Sequence, residues 1–72
     1  MEFDFRKLTG LIVSEYGSRK HFAAALGISP SNLSMKLSNK TKWTPEEILK
    51  SQQLLHIQPE NIATYFFTEK VQ

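Results

Sequence analysis

The amino-acid sequence predicts an all-α fold, a compact domain of five helices, on three observations. An apolar residue, a polar residue and a proline recur with an aliphatic residue three places later: Ile28-Ser29-Pro30 with Leu33, Trp43-Thr44-Pro45 with Ile48, and Ile57-Gln58-Pro59 with Ile62. Proline suits a first helical position because its missing N–H has no intrahelical partner there, the polar residue before it can cap, and the apolar pair can staple the turn. Glycines 17 and 27 stand where helices begun upstream must stop. Apolar residues also recur at helical spacing, and no strand is needed to supply a core.

The elements follow in order. Phe3-Asp4-Phe5 with Leu8 repeats the start pattern without proline and opens a helix over roughly 5–16, whose face carries Phe5, Leu8, Ile12 and Tyr16 before Gly17 ends it. Ser18 caps a second helix, roughly 19–26, ended by Gly27. Pro30 begins a third, roughly 30–38, and Pro45 a fourth, roughly 45–56. Thr44 and Glu47 have the spacing of a capping box, and Glu46 and Glu47 both favour the positive end of the helix dipole. That role accounts for the two neighbouring carboxylates better than acid–base catalysis does. Ile48 and Leu55 make the inner face of the fourth helix, with Leu49 and Leu54 widening it. The fifth, roughly 59–67, leads into the tail YFFTEKVQ, expected to be extended after Phe67. Tyr65, Phe66 and Phe67 cannot all bury on one helical face, so one of them is expected to be an exposed anchor.

A chain of 72 residues with 40% hydrophobic content has room for one core and one domain, spanning 1–72. The absence of cysteine excludes a disulfide framework and thiolate metal sites and suits a reducing compartment. No apolar run reaches the roughly 18 residues of a membrane span, and the start MEFDFRKL lacks the apolar region of a signal peptide. The expected location is therefore the cytoplasm, with no membrane partner. Net charge is a modest +2, yet no acidic residue falls between Glu15 and Glu46, where Arg19, Lys20, Lys36, Lys40 and Lys42 lie. Such a stretch fits either a solvated surface or an electrostatic footprint for nucleic acid.

Two short helices joined by a glycine-containing turn of three residues make the skeleton of a helix-turn-helix, here at about residues 19–38. Ala23 leaves room for close helix contact, Gly27 can adopt positive φ, and Ile28, Leu33 and Leu37 supply apolar anchors. On FAAALGIS and NLSMKLSNK the sequence resembles the lambda-repressor-like helix-turn-helix proteins, in their small Cro-like phage branch. FDFRKLTG and ATYFF at the two ends extend the resemblance to short proteins from phages of Gram-positive bacteria, including the lactococcal modulators of repression. The resemblance implies a bacteriophage genetic-switch regulator that acts in the host cell as an antirepressor, binding a CI-type lysogenic repressor and keeping it from its operator. It also implies a capacity to bind double-stranded operator DNA. The alternative is a Cro-type transcriptional repressor that binds operator DNA without touching the repressor, and a homodimer is an allowed assembly for either.

Carried over by position, the resemblance turns Ser29, Ser31, Asn32, Ser34 and Met35 toward the major groove. It sets Arg19 toward phosphate, with Asn39, Lys40 and Lys42, while Lys20 and Lys36 add charge to the same contact. The chain departs from the family pattern at Arg19, where glutamine is common, at Pro30, which displaces a base-contacting side chain, and at Asn39, which replaces glycine but tolerates the left-handed conformation. Arginine on guanine and glutamine or asparagine on adenine give the strong discriminations, roughly 1–3 kcal/mol each, and of these only Asn32 is present. Direct readout should be shallow and binding salt-sensitive. A small, apolar, adaptable surface centred on Met35 also suits a protein contact, so Ser31, Asn32 and Met35 are expected partner-binding residues, with Phe66 as the exposed aromatic. His21 and His56 lack metal spacing, Trp43 is expected to plug the core beside Ile48, and the serines have no placed base. No enzyme, metal or cofactor is expected.

Overall fold

Every proline-marked start opens a helix or a helical turn. The computed structural model describes residues 2–71, and the elements run α1 Arg6–Tyr16, α2 Arg19–Leu26, α3 Pro30–Leu37, α4 Pro45–Leu55, a single 3-10 turn Pro59–Asn61, and α5 Ile62–Phe66. The fold is the expected all-α one of five helices.

Local chemistry accounts for the boundaries. Ser18 Oγ accepts the His21 N–H at 3.2 Å, and Ser29 Oγ accepts that of Asn32 at 3.0 Å. At α4 the capping box closes both ways: Thr44 Oγ1 accepts from the Glu47 N–H at 3.2 Å, and Glu47 Oε1 accepts from the Thr44 N–H at 2.8 Å. Each such cap contributes about 1 kcal/mol. Gln58 makes no side-chain cap, and the segment expected as one fifth helix starts instead as a 3-10 turn before α5 forms. Gly17 and Gly27 end α1 and α2 in the left-handed region, at φ 82° and 87°. His56 at φ 55° and Asn39 at φ 66° take that conformation without being glycine. Lys50 Nζ donates to Leu26 O at 3.2 Å, placing a cation on the negative end of α2.

The core forms where the faces of these helices meet. Leu8 and Ile12 of α1, Phe22 and Ala23 of α2, Leu33 of α3 and Phe66 of α5 are almost wholly covered. α2 lies centrally, touching α1, α3 and α4. Tyr16 sets its ring edge-on to Phe22 at 5.3 Å and donates its hydroxyl to Leu54 O at 3.2 Å, tying α1 to α4. Leu55 is buried and Ile48 and Leu54 half-buried as expected, but Leu49 is exposed, and the inner face of α4 is completed by the buried Ser51. Leu49 was assigned from apolarity alone; Ser51 and Leu55, four apart, share the inward face that Leu49 does not.

The tail is extended as expected and pairs with the start of the chain. Phe3 and Glu69 form an antiparallel bridge, the Asp4 N–H donates to Thr68 O at 2.7 Å, and the Lys70 N–H donates to Glu2 O at 2.9 Å. Gln72, the last residue of that tail, lies outside the described residues. No helix among the described residues is long and apolar enough to cross a membrane.

Candidate partner and nucleic-acid interface

α3 is held on the body by Leu33, Lys36 and Leu37, so its other side projects outward. Ser31 and Ser34 are exposed there, Met35 is 38% exposed and Asn32 is half-buried. Ser29 is exposed too, though its oxygen already caps the helix. Arg19 and Lys20 at the start of α2, and Lys40 and Lys42 after α3, are exposed and form no ion pair among the described residues. The acid-free stretch therefore offers four solvent-facing cations, two at the start of α2 and two just after α3.

Three assignments are corrected. Lys36 is not a phosphate contact: it is 5% exposed, and its ammonium lies 2.8 Å from Glu47 Oε1. It also donates to Lys42 O at 3.0 Å and stands 6.0 Å from the centre of the Trp43 ring. The cause is helical geometry, since Lys36 follows the buried Leu33 by three residues and so shares its inward face. A buried ammonium needs a carboxylate, and the capping box of α4 presents one. Burial alone would raise the pKa of Glu47, but the hydrogen bonds from Lys36 and from the Thr44 N–H outweigh it and hold the carboxyl below its ordinary value.

Asn39 is the second correction. Its side chain accepts from the Phe3 N–H at 3.0 Å and donates to Phe3 O at 2.9 Å, so its amide is committed to the N-terminal segment rather than to phosphate. The third is Phe66, which at 1% exposure is a core residue; the exposed aromatic is Phe67, at 49%. Phe66 meets Trp43 edge-on at 5.1 Å, the plug that Trp43 was expected to be.

Near the N-terminus, Arg6 is exposed but clasps Asp4: Nη2 lies 2.6 Å from Oδ2, and Nε lies 3.1 and 3.0 Å from Oδ1 and Oδ2. The hydrogen bond from this guanidinium, with that from the Arg6 N–H, lowers the Asp4 pKa to about 2. His21 sets Nδ1 3.2 Å from Tyr16 O, and no group of three or more potential metal-ligating side chains occurs among the described residues. This surface presents four exposed cations and a small patch centred on Met35.

A family described as "Protein of unknown function (DUF739)" matches residues 1–69. The chain belongs to the DUF739 family. This DUF739 chain is also similar to the modulator of repression (MOR) of the temperate bacteriophage TP901-1 from Lactococcus lactis, known from its solution structure. The two share 39% identity at a TM-score of 0.81, over 100% of this chain and 97% of that one. No curated protein sequence matches the chain. The resemblance on the helix pair and the two ends thus extends over the whole fold.

Two features of this DUF739 chain escaped the sequence reading. Lys36 was counted as surface charge, and its i, i+3 relation to Leu33 is the signal that could have found its inward turn. The double hydrogen bond of Asn39 to Phe3 spans 36 positions and left no local trace.

Proposed function

We propose that this DUF739 protein serves a phage genetic switch as an antirepressor, binding a CI-type lysogenic repressor and keeping it off its operator. The observation that carries this reading is the full-length likeness to a modulator of repression at 39% identity. The chemistry of α3 supports it. Its outer side offers Ser31, Ser34 and Met35, which suit close apposition to a protein, and lacks the arginine and glutamine that read bases strongly.

Calorimetric titration of the CI-type repressor from the same phage genome tests the reading. Met35→Glu places a carboxylate at the centre of the contact, where desolvation without a partner costs several kcal/mol. Measurable binding should vanish while the helical circular-dichroism signal persists, because Met35 faces solvent. Met35→Ala should weaken binding by roughly 1–2 kcal/mol, mostly through faster dissociation. Wild-type affinity in a well-folded Met35→Glu protein would exclude this side of α3 as the contact.

A second reading, an operator-binding Cro-type repressor, is favoured by the exposed Arg19, Lys20, Lys40 and Lys42. It predicts salt-sensitive binding to operator DNA with no repressor present. The two roles are compatible on one surface. Met35→Glu would distinguish them by removing repressor binding more completely than the sequence-independent part of DNA binding.

A further inference from the structure

Between the N-terminal segment, the loop that follows α3 and the end of α5 lies a cavity of about 360 Å³, walled by Phe3, Trp43, Ile48 and Phe67 and bordered by Thr41 and Lys42. We infer that this cavity receives one bulky apolar side chain of a protein partner, flanked on that partner by a carboxylate that pairs with Lys42. The inference rests on the proposed repressor contact and names its anchor.

The walls argue for an apolar occupant. Phe67 remains 49% exposed although Phe66 beside it is covered. Its ring is held edge-on to Phe3 at 5.7 Å and 83°, so the pocket is braced before anything enters. A leucine or phenylalanine side chain placed there would cover aromatic surface that the isolated chain leaves wet, which is how a single anchor comes to dominate an interface. A phosphodiester backbone offers no group of that kind.

The charge argues for an acidic neighbour. Lys42 supplies the charged side chain at the cavity, where no carboxylate lines the wall, and its ammonium has no ion-pair partner among the described residues. Its backbone is nevertheless held, because Lys36 Nζ donates to Lys42 O at 3.0 Å. A carboxylate beside the apolar anchor would therefore meet a cation on a fixed main chain.

Position joins the cavity to the proposed contact. The N–H groups of Lys40 and Thr41 both donate to Met35 O, at 2.9 and 3.3 Å, so the segment bordering the cavity folds back onto the turn of α3 that carries Met35. One partner can cover Met35 and fill the cavity together.

The test uses the full chain and the purified CI-type repressor of the same phage genome. Trp43, the one tryptophan, is replaced biosynthetically by fluorotryptophan. Repressor binding should move the fluorine NMR signal, because the indole lines the cavity. Thr41→Tyr, which fills the mouth from an exposed position, and Phe67→Glu, which repels the flanking carboxylate, should each weaken binding at least about tenfold with the circular dichroism unchanged. Lys42→Glu should weaken it similarly, and a compensating acid-to-lysine change in the repressor should restore it. If Met35→Glu abolishes binding while Thr41→Tyr and Phe67→Glu bind like wild type, the cavity is not the anchor and the repressor reading stands alone. If the wild-type chain does not bind the repressor, both fall. A fluorine signal that moves only with operator DNA, or a wild-type dimer that Phe67→Glu converts to monomer, would also overturn the proposal by assigning the cavity to another occupant.

Discussion

The outer side of α3 and the segment that closes the helix carry similar polar side chains and use them in opposite ways. Ser31 and Ser34 face solvent, whereas Lys36 and Asn39, a few residues on, are bound to distant parts of the chain. Lys36 reaches the carboxylate at the start of α4, and Asn39 brackets the main chain of Phe3. Lys40 and Lys42, in the same segment, are exposed. What separates a solvent-facing residue from a structural one here is not residue type or its place in a basic stretch. It is whether helical rotation or a left-handed turn directs the side chain onto the body, where a partner waits.

The largest effect that would break this comparison concerns Lys36. Lys36→Met keeps the buried stem but leaves the Glu47 carboxylate without its cation, and should cost roughly 2 kcal/mol in denaturant unfolding. The salt dependence of DNA binding should not change. An unchanged stability with a salt slope lowered by about 1 would return Lys36 to the phosphate contacts. The pH profile sharpens the point. Because the folded-state pKa of Glu47 is depressed, its ionised form stabilises the fold above the unfolded-state value, and this contribution is lost as pH falls through the folded-state value. Wild type should lose stability on acidification more steeply than Lys36→Met, so the gap between them should close in acid.

Asn39 comes next. Asn39→Ala removes both bonds to Phe3 and forces a Cβ-bearing residue without a compensating side chain into φ 66°, for roughly 2 kcal/mol in all. Asn39→Gly removes the bonds but relieves the backbone, and should cost about 1 kcal/mol less. Equal losses in thermal unfolding would show that the left-handed turn carries no strain and that the amide does all the work.

The smallest effect on stability belongs to the exposed cations. Lys40→Ala and Lys42→Ala should change unfolding by less than about 0.5 kcal/mol. Each should nevertheless lower the slope of DNA affinity against salt by roughly 1, equally for all sequences. Unchanged slopes in both variants would remove these lysines from any nucleic-acid interface and leave the outer side of α3 to a protein.

The sequence by itself determined the helices and their order. Caps, N1 prolines and C-terminal glycines act within four residues, so Ser18, Ser29, Thr44, Gly17 and Gly27 could be read directly and the first four helices fall within a residue of expectation. Periodicity likewise placed Phe5, Leu8 and Ile12 in the core. Tertiary structure alone decided which polar and aromatic groups remained exposed. Lys36 needed a carboxylate from the next helix, Asn39 a main chain from the other end of the protein, and the choice of Phe67 over Phe66 as the exposed ring depended on where Trp43 lay. Such choices belong to contacts between residues far apart in the chain. Local propensity carries no information about them, because the free energy of burying a charge or a ring is set by the groups that surround it only after folding.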